Sequence, residues 1–321
     1  MIPQAQLLTG SALGGALLWL GLLARWFQRP LDLSATVFLL LLLAILVNTP
    51  LALSLLQGRT LSFVGHRWVS GLQPVAAVAV AATAFVGPAG FSIGPLLLPW
   101  SALLTVPWLL FATLLALSAL WQLPSRRQMD APACLQLLAL LFLPIGAAWL
   151  VAFQLGLQPL RFSGIIVLLT AVHFHFTGFA ATMWASRIGA YLPQSNRTYP
   201  WFAGGFVLAT PLIAVGITLS PLVEVVGVAL LATCLVGLAL LSYRHVLPML
   251  RNMLAKILLS LAPTAMGVAI ALAVIYAIGE FRQQPLLTIP QMVQWHGWLN
   301  GVGFTFWGLL GWRLAEYQPQ V

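Results

Sequence analysis

Acidic side chains are almost missing from this sequence: five Asp and Glu stand against 14 Lys and Arg in 321 residues. Charged residues of both signs make up only 6% of the chain, whereas a water-soluble domain carries roughly 25%. So thin a supply of charge cannot clothe a soluble surface, and it excludes a free globular domain. Cysteine is equally scarce. Cys134 and Cys234 lie in separate apolar runs without CxxC spacing, which excludes a disulfide framework or a thiolate metal ribbon and leaves packed small side chains. HExxH, DxxxD and GxSxG motifs are missing, as is any convincing internal repeat. The N-terminus has no charged leader region and no small-residue cleavage site, so its first apolar helix reads as retained.

The net charge of +9 would suggest nucleic acid in a soluble protein. Here the basic residues come one to three at a time between apolar runs, with no basic stripe and no interleaved exposed aromatics. That pattern excludes a nucleic-acid partner and fits loop charges that orient helices.

Apolar side chains are present in excess, at 61% of residues with a mean hydropathy of +1.00. A membrane-spanning helix needs about 20 mostly apolar residues. Ten segments qualify: 7–27, 35–56, 70–90, 98–121, 133–157, 162–186, 201–219, 221–243, 256–279 and 291–313. The fold class is therefore all-α, a polytopic transmembrane helix bundle of about ten spans (nine if segments three and four do not both cross). It forms a single transmembrane domain over 1–321 with no soluble domain, and its partner is the lipid bilayer of a cell membrane. The stretch Gly87–Pro99 is rich in Gly and Pro and reads as a possible re-entrant bend, while Ser220 and Pro221 leave room only for a tight turn. Trp26, Trp68, Trp121, Trp201 and Trp312 fall near predicted helix ends, as interfacial belts require. With ten spans, Arg59, Arg67, Arg126, Arg127, Arg187, Arg197, Arg244, Arg251, Lys256 and Arg313 share one side, and Arg25, Arg29, Arg161 and Arg282 the other. The positive-inside bias then places both termini in the cytoplasm.

Against this background the informative residues are ionisable ones within the spans, each of which carries an insertion penalty of ~3 kcal/mol. Segment six holds His173, His175, Thr177 and Gly178 in the run HFHFTGF. His173 lies about 16 Å beyond Phe162 at 1.5 Å per residue, near the bilayer midplane. On a regular helix the two imidazoles point roughly 200° apart. Thr170, His173 and Thr177 would share a face, so Gly178 either marks a local irregularity or the helix is surrounded by others. Segment ten holds His296, Asn300 and Gly303 at i, i+4 and i+7, beside a small-residue stripe of Gly297, Gly301 and Thr305 that permits close helix approach. Glu224 follows Pro221 in the first turn of segment eight, where it serves either as a cap or as a site carboxylate. Asp32, Asp130, Glu280 and Glu316 read as solvated loop or tail residues. Asn48, next to Thr49 and Pro50, is placed to serve carbonyls freed by the proline.

At HFHFTGF and WHGWLNGVGF the sequence resembles the YndJ-like family of bacterial membrane proteins. The resemblance implies a multi-span bundle with an HFH-type motif in a central helix and an HG-x-x-N-x-x-GF motif in a late one. Residue by residue it points to His173, His175, Gly178, His296, Gly297, Asn300 and Gly303. It implies little mechanism, its members being sometimes labelled transporters.

The residues themselves leave several functions open. An intramembrane metal-dependent enzyme acting on a lipophilic substrate would use His173, His175 and His296 as ligands of a divalent metal such as zinc. Glu224 would be its further ligand or general base, and Thr177, Gly178, Asn300 and Gly303 would support it. A transporter or channel would line a polar path with the same side chains. Axial haem ligation and a non-catalytic bundle held by glycine contacts complete the set.

Overall fold

The computed structural model describes residues 4–26, 32–56, 66–87, 89–93, 96–121, 129–193 and 195–316. Arg29, Arg59, Arg126 and Arg127, counted above for orientation, lie outside the described residues.

In lipid every backbone polar group must be satisfied within the protein, and helices do this segment by segment. The helices are α1 (Gln4–Trp26), α2 (Leu33–Ser54), α3 (His66–Ala82), α4 (Trp100–Trp121), α5 (Ala131–Gln154), α6 (Gly164–Tyr191), α7 (Tyr199–Leu219), α8 (Pro221–Met249), α9 (Met253–Phe281) and α10 (289–316). Each falls on one of the ten predicted spans, with edges that agree to within about six residues except at the end of α3. Among the described residues, nine helices are long and apolar enough to cross a membrane. The tenth, α10, is helical throughout but is not one of the nine, since Gln291, Gln294, His296, Asn300 and Arg313 lower its hydropathy. Between α3 and α4 the Gly- and Pro-rich stretch is neither helix nor re-entrant helical bend. It is an antiparallel hairpin of β1 (Gly90–Ile93) and β2 (Leu96–Pro99), with Phe91 opposite Leu98. The third helical segment accordingly stops at Phe85, short of the predicted edge at 90.

The chain divides into two compact units, 1–128 with 137–180, and 129–136 with 181–321. In the first unit α2 is the core. Every residue from Val37 to Leu55 is buried, as expected of a helix that is apolar on all sides. Its ladder widens to i→i+5 over Ala44–Asn48, and Thr49 sends both its N–H and its Oγ1 (2.8 Å) to the Ala44 carbonyl. In that register the Ile45 carbonyl faces Pro50, which has no N–H to give. The buried Gln73 of α3 supplies the donor instead (Nε2 to Ile45 O, 3.2 Å), and its Oε1 accepts from Ser11 of α1. One orphaned carbonyl thereby ties three helices together. The sequence points to Asn48 for this task; at the Ile45 carbonyl the donor comes from Gln73.

In the second unit α7 and α8 form a tight helical hairpin joined by Ser220 alone, with Gly216 packed on the Glu224 backbone. Helix α9 then packs on α8 and α10. A side chain at Gly303 would come within 2.8 Å of Ala265, so α9 and α10 approach closely there.

Candidate functional site

Both histidine motifs lie on widened helical turns. Phe174–Ala181 of α6 and Val293–Gly297 with Leu299–Phe306 of α10 have π-helical geometry, which recurs at functional positions because it leaves backbone groups out of register. Gly178 does mark a local irregularity. The helix makes room for itself there, since a side chain at Gly178 would meet Phe142 of α5 at 2.9 Å.

Within the first unit His175 is fully buried. Its Nδ1 lies 2.8 Å from the Ala171 carbonyl, and its Nε2 lies 2.9 Å from the indole Nε1 of Trp108 on α4. A carbonyl only accepts and an indole N–H only donates. The imidazole is therefore neutral, with its proton on Nδ1 and its Nε2 lone pair occupied. The Trp108 and His175 rings lie nearly parallel at 6.0 Å, and Trp108 packs in turn on Phe111. Gly146 of α5 opens the space: a side chain there would stand 2.7 Å from His175 Nδ1. The sequence gives no direct notice of Trp108 or Gly146, beyond the fact that a mid-span indole needs an acceptor.

His173 is placed differently. It is exposed, with Nδ1 2.7 Å from the Leu169 carbonyl. It sits nine residues into α6, about 14 Å from the helix start at 1.5 Å per residue. Thr177, one turn on, is half-buried.

In the second unit His296 repeats the chemistry of His175. Its Nδ1 lies 2.8 Å from the Ala269 carbonyl of α9, and its Nε2 lies 3.1 Å from Asn300 Nδ2. Asn300 also donates Nδ2 to the His296 carbonyl at 3.0 Å, which fixes the amide nitrogen as the group facing the ring. This imidazole too is neutral with Nδ1 protonated. Thr305 bonds back to Asn300 O at 2.9 Å and Gly301 O at 3.0 Å, spanning the five- and four-residue registers at once. Glu224 occupies the first turn of α8 and interacts electrostatically with Glu280 and Tyr276 of α9.

The predicted site residues are thus distributed over the units: His173, His175, Thr177 and Gly178 in the first, Glu224, His296, Asn300 and Gly303 in the second. Among the described residues of either unit, no three His, Cys, Asp or Glu side chains converge as a metal set. A metal at Nε2 of His175 or His296 would have to displace Trp108 or Asn300.

Three sequence-based placements are corrected. Arg187 is not a loop cation: α6 runs on to Tyr191, and Arg187 is 1% exposed and ion-paired to Glu316 at 2.5 Å. Glu316 is correspondingly no solvated tail residue. Trp312 is fully buried against Arg187 and Tyr191 and offers no ring to a membrane interface, whereas Trp121 and Trp201 are exposed.

Nine helices long and apolar enough to cross a membrane, among the described residues, define a polytopic integral membrane protein. The chain belongs to the YndJ-like protein family, whose family model matches residues 39–304 and takes in both histidine motifs. It is 31% identical over 218 residues to the uncharacterized membrane protein YndJ of Bacillus subtilis (strain 168). The aligned stretch is 68% of this chain and 39% of that relative, so the chain spans well under half the length of the protein it matches. No solved structure matches it.

Proposed function

We propose that the chain belongs to a membrane transporter for a small polar solute, with His173 facing the solute path. The exposure of His173 at mid-span carries this reading. An imidazole turned to hydrocarbon is penalised by ~3 kcal/mol, and such residues normally face water or protein.

The widened turns lend support. Among the described residues each unit has two helices with such turns, α2 and α6 in the first and α8 and α10 in the second. A widened turn takes backbone carbonyls out of register, and backbone left unpaired inside a membrane is tolerated where it lines a water-filled cavity. The metal-enzyme and haem readings each need a free imidazole lone pair. On His175 and His296 Nδ1 faces a backbone carbonyl and the Nε2 lone pair accepts a hydrogen bond, which ranks both readings behind transport.

The test is His173→Cys in a chain whose Cys134 and Cys234 are replaced by Ser, exposed in intact vesicles to a membrane-impermeant thiol reagent. The cysteine is expected to label from at least one side, and excess transported solute is expected to slow the labelling. A cysteine that stays unlabelled in vesicles yet reacts fully after denaturation would refute the path.

A further inference from the structure

We infer that Arg187 heads a second site, for a phosphate-bearing anion, which Glu316 closes in this structure with its own carboxylate. Arg187 is fixed on α6 by the rings of Tyr191 and Trp312, whose centroids lie 5.7 and 5.9 Å from its guanidinium carbon. One nitrogen, Nη2, pairs with Glu316. Its Nε and Nη1 are buried and have no acceptor among the described residues.

Neighbouring donors share that condition. The indole N–H groups of Trp184 and Trp312 and the hydroxyl of Ser242 are buried without a hydrogen-bond partner among the described residues. Trp184 precedes Arg187 by one turn on α6 and packs against Gly308 of α10, one turn before Trp312. Ser242 begins the widened turn of α8 that packs on the same part of α6. Buried donors are almost always paired, so several unpaired ones along a single seam signal a missing acceptor. What the seam lacks is oxygen atoms, and it lacks more of them than one carboxylate supplies. A phosphate group brings three or more, and a guanidinium matches them through its planar fork.

Charge at this end of the second unit has the right sign. The ends of α6, α8 and α10 and the starts of α7 and α9 gather there, bringing Arg197, Arg244, Arg251, Lys256 and Arg313 beside Arg187. The acidic residues with them are Asp130 and Glu316. The opposite end carries Glu224 and Glu280 with Arg282. Anions are drawn to the basic end, and the phosphate of an anionic lipid and a free phosphate compound present the same oxygens to Arg187.

The experiment uses the full chain in neutral detergent with inorganic phosphate as one probe. The other is phosphatidylglycerol, supplied in nanodiscs against phosphatidylcholine and read as lipid retained per chain by native mass spectrometry. Glu316→Gln removes the internal competitor and is expected to bind its probe at least tenfold more tightly than wild type. Arg187→Lys keeps the charge, loses the fork and is expected to lose that binding. A response to inorganic phosphate identifies a soluble ligand; selective retention of phosphatidylglycerol without it identifies a headgroup. Binding of neither probe by both wild type and Glu316→Gln, which would leave only buried water on these donors, overturns the proposal. So does binding that Arg187→Lys leaves unchanged. The result is independent of His173 labelling, so either reading can fail alone.

Discussion

Replacing Trp108 with Phe removes the donor that holds His175 Nε2 and leaves a fully buried imidazole nitrogen without a partner. The ring remains pinned from its other side by the Ala171 carbonyl and the close approach of Gly146, so it cannot swing out to water. A buried polar atom stranded this way costs about 1–3 kcal/mol, and the smaller Phe ring adds a packing loss. A double-mutant cycle with His175→Leu separates the two contributions. Trp108→Phe in the His175→Leu background strands nothing and suffers only the packing loss, so the double variant should be more stable than the sum of the singles predicts. The expected coupling is again about 1–3 kcal/mol, which corresponds to roughly a five- to 150-fold discrepancy in unfolding equilibrium constants. Reversible denaturant unfolding in mixed micelles, followed by tryptophan-independent circular dichroism, measures all four proteins. Additivity to within about 0.5 kcal/mol would refute the assigned hydrogen bond and with it the Nδ1-protonated form of His175.

Two further outcomes follow from the same geometry. Asn300→Leu strands His296 Nε2 and should lower stability by about 1–3 kcal/mol, whereas Asn300→Gln should recover part of that loss in the same unfolding assay. Gly146→Val drives a branched side chain into the His175 ring and should destabilise by about 1–3 kcal/mol or more, as overpacking does; unchanged thermal stability would contradict the α5–α6 packing.

The spans were legible because lipid imposes one requirement, a long apolar helix, which nine helices meet among the described residues, the tenth predicted span being a more polar helix. Even the Ser220 turn could be read, since a single residue before a proline leaves no other route. The misses have local causes. The segment 87–99 contains Gly and Pro that argue against helix, but nothing in it distinguishes a bend from the observed pairing of Gly90–Ile93 with Leu96–Pro99. Arg187 looks like a loop charge because the apolar run ends at Ser186; only its contact with Glu316, 129 residues later, shows why the helix continues. The histidine motifs could be located but not their partners. Trp108, Gly146 and Ala269 meet the imidazoles through tertiary packing, and no spacing rule links residues 67, 29 and 27 positions apart.

The widened turns have one more consequence. Each accommodates an extra residue within a helix that elsewhere advances 3.6 residues per turn. Excising a single residue from Phe174–Ala181 would therefore let the backbone revert to ordinary winding without breaking the span. Because a widened turn holds one residue more than an ordinary one, residues beyond the excision would keep nearly the same facing, whereas excision from a regular turn would rotate them by about 100° about the helix axis. Arg187 would stay against the Glu316 carboxylate and the span would keep nearly its full length. Chain length at these positions is thus locally adjustable: a single-codon deletion there leaves both membrane insertion and the alignment of downstream side chains in place.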